Sequence, residues 1–272
     1  MPHKTPVLLT FDLDAETLWT ARDPEGANRP VWVSQGHYGP NVGLPRVLAL
    51  LSRYDVTATF FVPGLVIERY PAAIDSILET GMQIEHHSHT HAWSENLSYE
   101  QEREEFQRGW DAIVRATGRE PQGWRSPAAE LTPHSVALME EYGFSYSSNL
   151  FDSDSAHLLQ YEGRTTNIVE LPFAWLMDDA PYFLYSNRLP GRVMAAPSAV
   201  LETWWREFEG LRQEPRAHYM VAMHPQVIGR PSRIWVLERL LEKIRDSNSA
   251  DFVSCADYVA RVKPGLLESR PR

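Results

Sequence analysis

Four of the ten histidines fall within six residues, at His86, His87, His89 and His91. Only His87 and His91 stand four apart, a spacing that shares one face in a helix and in an extended segment alike. A divalent metal needs convergent neutral imidazoles, so this pair is the best ligand candidate, with surface histidines as the alternative. A second cluster follows an apolar run near the N-terminus, where Phe11-Asp12-Leu13-Asp14-Ala15-Glu16 carries three carboxylates. Burial disfavours unpaired carboxylates, so these mark a solvated loop, an N-cap arrangement or a metal site. One Asp with two His makes a facial ligand set that leaves positions open for water and substrate. If Asp14 ligates, Asp12 lies nearby and could accept a proton from a bound water.

Two further residues extend this chemistry. His224 ends the apolar run Tyr219–Met223 and precedes Pro225, a position from which it could protonate a leaving group. Arg125, in Gly123-Trp124-Arg125-Ser126-Pro127, could hold Asp12 ionised, because a neighbouring cation favours the carboxylate form. A core or loop histidine and a surface arginine are the plainer alternatives.

The elements that must position these residues alternate between strand-like and helical runs. Strands are expected at Val7–Asp12, Val56–Val62, Met82–His86, Phe144–Ser148, Ile168–Pro172, His218–Met223 and Phe252–Cys255. Between them lie helical patterns at Pro45–Tyr54, Ala72–Glu79, Ser198–Leu211 and Ile234–Arg245. Ser98 with Gln101 forms a capping box for a helix that Gly118 closes, and another helix starts at Thr132–Pro133 and stops at Gly143. The stretch after the first strand, to about Pro40, and Ser153–Arg164 read as loops. Such alternation predicts a parallel α/β architecture. No glycine-rich phosphate loop follows the first strand, which favours barrel-like closure over a nucleotide-binding open sheet. In such barrels the C-terminal strand ends carry the chemistry, and the candidate residues lie there.

Composition narrows the function classes. The 272 residues carry 26 Lys+Arg against 36 Asp+Glu, a net charge of −10, which argues against nucleic-acid or anionic-membrane partners. Hydrophobic content of 43% with 23% charged residues is ordinary for a folded chain, read here as one catalytic domain over 1–272. The lone Cys255 excludes an intramolecular disulfide and any multi-cysteine zinc site. No apolar run approaches the roughly 18–20 residues of a membrane helix. No secretory pattern opens the chain, so a cytoplasmic location is expected.

Taken together, Thr10-Phe11-Asp12-Leu13-Asp14, His87-Ser88-His89-Thr90-His91, Arg125-Ser126-Pro127 and Met223-His224-Pro225 stand in the order of the polysaccharide deacetylase motifs. The chain resembles that family (NodB-homology, carbohydrate esterase 4-like) over about residues 7–255. The resemblance implies a distorted (β/α) barrel and hydrolysis of non-peptide amide bonds, mostly N-acetyl groups on sugars, with a divalent metal, commonly zinc. By motif position, Asp14, His87 and His91 correspond to the metal ligands, Asp12 to the general base, Arg125 to its positioning residue and His224 to the general acid. Ser88 corresponds to a residue that braces the loop by hydrogen bonding.

One departure stands out. The family's first motif has adjacent aspartates before Gly, whereas Leu13 separates them here and Ala15-Glu16 follow, which makes Glu16 a rival base. The split form is similar to a cytoplasmic branch that holds peptidoglycan deacetylases, cyclic-imide hydrolases and metal-independent allantoinases. Among aromatic residues near the motifs, Trp175 is the preferred pocket residue, and Arg230 could face a polar or anionic substrate. The expected partner is therefore an oligosaccharide or small molecule, and a homo-oligomer is compatible with it. Cyclic imide or ureide opening on the same fold, and non-catalytic carbohydrate binding, are the competing functions. A two-His-one-carboxylate iron oxygenase is disfavoured by the α/β pattern.

Overall fold

The computed structural model describes residues 4–21, 23–185 and 193–269; Arg22, inside the predicted loop Ala21–Pro40, lies outside them. Among the described residues nine strands form the sheet: β1 (Thr5–Asp12), β2 (Thr59–Val62), β3 (Gln83–His86), β4 (Gly123–Trp124), β5 (Tyr146–Ser147), β6 (His157–Tyr161), β7 (Arg164–Glu170), β8 (Tyr219–Met223) and β9 (Ala250–Phe252). Their order is β6-β7-β5-β4-β3-β2-β1-β8, with β9 also paired to β1. Every pairing is parallel except β6 with β7. The two ends of this path meet. Ser155, leading into β6, forms an isolated antiparallel bridge with Ala217, leading into β8, and the His218 N–H donates to the Asp154 carbonyl at 3.1 Å. This contact curls the sheet into the distorted barrel expected from the sequence.

Helices pack outside because their apolar faces match the strands beneath. Val47, Leu48, Leu50 and Leu51 of the helix Leu44–Tyr54 are buried in one cluster with Leu237, Leu240, Leu241 and Ile244 of Pro231–Asp246. The predicted capping box is present at Ser98–Gln101, and Gly118 closes its helix, Tyr99–Thr117, in the left-handed conformation that glycine adopts without steric cost.

The predicted loops need correction. Within Ser153–Arg164, β6 pairs with β7 through a two-residue turn, Glu162-Gly163, both at positive φ. That geometry matches the twist of a hairpin, and Gly163 was its signal. Within Ala21–Pro40, Pro30–Tyr38 is helical. Its pattern is weakly amphipathic, and tertiary contact holds it: Gly36 lies against Glu16, where a Cβ would come within 2.3 Å of backbone. Further elements lie outside the expected set, among them β4 and the helix Gly64–Arg69, both too short to show a period, and the longer helix Cys255–Glu268, which follows the last expected strand.

Candidate active site

Parallel strands deliver the candidate residues to one end of the barrel. β1 pairs with β2 as far as Asp12 opposite Phe61, and the Leu13 N–H still donates to the Phe61 carbonyl at 3.0 Å. Side chains alternate along this extended stretch. Leu13 thus enters the core while Asp12 and Asp14 share the opposite side. β3 ends at His86 and releases His87–His91, β4 ends at Trp124 before Arg125, and β8 ends at Met223 before His224.

Asp14 is the centre of the cluster. It is fully buried, and its Oδ1 lies 3.3 Å from His87 Nε2 and 3.6 Å from His91 Nε2. That oxygen has no hydrogen-bond partner among the described residues. The second oxygen faces Gln226 Nε2 at 3.3 Å and His224 Nε2 at 3.6 Å. Burial opposes ionisation, but His91, His87 and His224 outweigh it and hold Asp14 at about 2. His87 Nδ1 lies 2.7 Å from the Arg125 carbonyl, which can only accept, so Nδ1 carries the proton and Nε2 presents a lone pair. Burial pushes His91 down to about 4 and keeps it neutral. Burial also opposes protonation of His87, yet Asp12 and Asp14 overcome it and raise its pKa, so the cluster draws positive charge. An orphaned buried carboxylate oxygen beside two imidazole Nε2 atoms fits a divalent cation held by oxygen and nitrogen donors.

Asp12 is gripped from the other side. Arg125 Nη1 donates to Asp12 Oδ1 at 2.8 Å and to Thr10 Oγ1 at 2.9 Å, while Nη2 donates to Ser148 Oγ at 2.9 Å. The guanidinium, 1% exposed, lies between the Phe61 and Phe173 rings at 4.3 and 4.9 Å. Such a desolvated charge persists only when paired.

His224 has its own carboxylate. Asp179 Oδ1 lies 2.6 Å from Nδ1, and Oδ2 accepts the His224 backbone N–H at 3.0 Å. Burial disfavours the imidazolium, but Asp179 and Asp178 outweigh it and raise His224 well above the ordinary imidazole range. Burial, with Asp179 adding to it, pushes Asp178 up to about 7. Asp178 also reaches the open cleft, a space of ≈ 500 Å³ whose walls include Asp12, His87, His91, Arg125 and His224.

The loop bearing the histidines is held by Glu105, which spacing alone did not reveal. One of its oxygens accepts from Ser88 Oγ at 2.5 Å and from the His89 and Thr90 N–H groups at 2.9 and 2.7 Å. The other accepts from Thr90 Oγ1 at 2.8 Å. These bonds hold a loop in which Ser88 and His91 both sit at φ 64, a region L-residues occupy at a steric cost. Ser88 is therefore a brace away from the cleft walls. Glu16 also points elsewhere, accepting from Arg69 Nη1 at 2.6 Å and Tyr70 OH at 2.8 Å. Arg230 stacks on Tyr38 at 3.5 Å and does not line the cleft. Trp175, 46% exposed, does line it, together with Trp93 and Phe173. The chain offered a hint of Asp178 and Asp179, two adjacent acids downstream of Trp175, but no local period ties them to His224.

Comparisons with known proteins bear on the family and the fold. The polysaccharide deacetylase family profile matches residues 28–147. A Mycobacterium smegmatis crystal structure classed with the polysaccharide deacetylases is 31% identical, with a TM-score of 0.92, and covers 100% of this chain and 94% of that one. The peptidoglycan deacetylase of Helicobacter pylori is 25% identical over 296 residues, covering 100% of this chain and 99% of the relative. An allantoinase structure shares the fold at a TM-score of 0.83 and 20% identity, covering 97% of this chain and 92% of that one. Among the described residues no helix is long and apolar enough to cross a membrane. The chain belongs to the polysaccharide deacetylase family, hydrolases that act on the carbon–nitrogen bonds of amides.

Proposed function

We propose that the chain removes an N-acyl group, acetate in the simplest case, from an amino sugar, in one catalytic domain that depends on a divalent metal, zinc by its donor set. The observation that carries this reading is the orphaned Asp14 oxygen between His87 and His91, flanked by Asp12–Arg125 and Asp179–His224. Asp14, His87 and His91 would hold the ion, which when bound supplies Lewis acidity toward a water and a carbonyl oxygen. Asp12 takes the proton of the attacking water, and Arg125 keeps that carboxylate ionised and aimed. His224 gives a proton to the departing nitrogen, with Asp179 holding its Nδ1–H so that Nε2 faces the cleft. General acid–base help of this kind contributes roughly 10²–10⁴-fold. Trp175 and Trp93 form walls against which a sugar ring can stack.

A second reading, opening of a cyclic imide or ureide, draws on the same aromatic walls, which suit a small planar ring as well. Both are tested by metal analysis of the purified protein, with hydrolysis assays before and after chelation. Acetate release from an N-acetylglucosamine oligomer, lost on chelation, is the expected result. Opening of succinimide without acetate release would replace the first reading with the second. A chain that binds no metal under any loading condition would sink the ligand assignment.

A further inference from the structure

Behind the Phe173 side chain, which forms part of the catalytic cleft, lies a second and larger recess of ≈ 680 Å³ that also uses Phe173 as a wall. Three carboxylates, Asp152, Asp154 and Glu207, line it, and no Lys or Arg is among its described lining residues. His157 stands beside that rim, its Nε2 3.6 Å from Asp152. The base holds His218, 3% exposed, whose Nε2 lies 2.8 Å from the Pro172 carbonyl. A carbonyl only accepts, so Nε2 carries the proton and Nδ1 is an acceptor. That Nδ1 is buried without a partner among the described residues. Burial keeps the ring neutral by lowering its pKa to about 4. The barrel seam fixes this arrangement, because the His218 N–H is bound to the Asp154 carbonyl.

Acceptors crowd this recess while donors are scarce. A buried polar atom without a partner is costly, and a ligand that brings N–H groups and positive charge would satisfy both deficits. A bare divalent ion is a poorer match. Among the described residues, ligand atoms converge within 4.8 Å only in Asp14-His87-His91 and Asp178-Asp179-His224, so the recess acids are spaced for something larger. Between recess and cleft stands an aromatic ridge. Phe151 and Trp175, 45% and 46% exposed, lie 5.1 Å apart, with Phe151 on the recess side and Trp175 on the cleft side. Exposed rings of this kind offer faces for a pyranose.

We infer that this recess is a subsite for a primary ammonium carried on a sugar ring, an amino sugar without its acyl group, seated across the aromatic ridge from the reacting amide. The inference rests on the proposed deacetylase reading, whose reaction frees such an amine. It would let the enzyme engage a chain that already carries free amino groups.

The test is calorimetric titration of the purified full chain with D-glucosamine, using D-glucose as the neutral control. Glucosamine should bind and glucose should not. The paired change Asp154→Asn with Glu207→Gln, isosteric at an exposed and a half-buried position, should weaken glucosamine by about tenfold or more. Asp12→Asn, in the cleft, should leave that affinity within about twofold. Absence of glucosamine binding, equal binding of glucose, or loss of affinity in Asp12→Asn would each overturn the subsite. So would manganese binding that depends on Asp154 and Glu207 while glucosamine fails to bind. Because the titration needs no turnover, glucosamine binding by a chain that releases no acetate would sink the deacetylase reading alone.

Discussion

Asp179 holds His224 at two points, its Oδ1 2.6 Å from the ring Nδ1 and its Oδ2 accepting the backbone N–H at 3.0 Å. A general acid must be protonated to act, and these carboxylates raise His224 against the effect of burial. Activity should therefore persist through neutral pH and fall as pH rises through the raised value. Asp179→Asn removes the raising charge, so the alkaline limb of kcat should move to lower pH, with kcat itself reduced by roughly 10²–10⁴-fold. A kcat profile from neutral to alkaline pH checks this, and an unmoved limb would rule out His224 as the acid.

The metal reading separates two histidines. His87→Ala should abolish bound metal and activity together, whereas His224→Ala should keep the metal and lose only turnover. Elemental analysis beside rate measurements distinguishes them. Added zinc should also raise the Tm of the unsubstituted chain and leave that of His87→Ala unchanged, because only a ligand that binds the folded state stabilises it.

Arg125 is buried with its charge paired to Asp12. Arg125→Ala strands that carboxylate and should cost about 3–5 kcal/mol in urea unfolding. Arg125→Lys should rescue little, because an ammonium cannot serve Asp12, Thr10 and Ser148 with the same planar fork.

Glu105 holds the histidine loop through four hydrogen bonds without facing the cleft. Outer partners of this kind orient ligands, so Glu105→Ala should weaken metal affinity by roughly 10–100-fold. Competition with a chromophoric chelator measures this directly, and an unchanged affinity would show that the loop keeps its shape without the carboxylate.

Two acids competed for the role of base, and placement separates them. Glu16 is occupied by Arg69 and Tyr70, whereas Asp12 lines the cleft. Asp12→Asn should lower kcat by roughly 10²–10⁴-fold. Glu16→Gln should retain most turnover and lose about 1–3 kcal/mol of stability. The reverse pattern would exchange the two assignments.

Much of this molecule was legible in local spacing. Val7–Asp12 reads as a strand, and Leu13 between Asp12 and Asp14 places both acids on one side. His87 and His91 were marked by type and spacing, although they meet through an irregular loop with Ser88 and His91 at φ 64 and not through a helical or extended period. The α/β alternation, the Ser98 capping box and the position of His224 after an apolar run are likewise local features. Composition likewise argued against nucleic-acid partners and, with one cysteine, excluded an intramolecular disulfide, since counting needs no contacts.

The pairing of His224 with Asp179 and of the histidine loop with Glu105 came only with the tertiary structure, whereas the pairing of Arg125 with Asp12 was already an expectation of the sequence. Asp179 and His224 are 45 residues apart, and Asp12 and Arg125 are 113 apart. No periodicity links such pairs: Arg125 follows β4, which β3 and β2 separate from the β1 that ends at Asp12, and Asp179 precedes the short helix Ala180–Phe183 rather than lying on a strand. The hairpin of β6 and β7 was missed because five residues carry too little pattern to outweigh their polar surroundings. The identity of the reacting groups was thus set by residue type and local register. Which carboxylate faces the cleft, which grips a histidine and which is spent on Arg69 was decided by barrel closure, since burial forces each ionised group to find a partner across the fold.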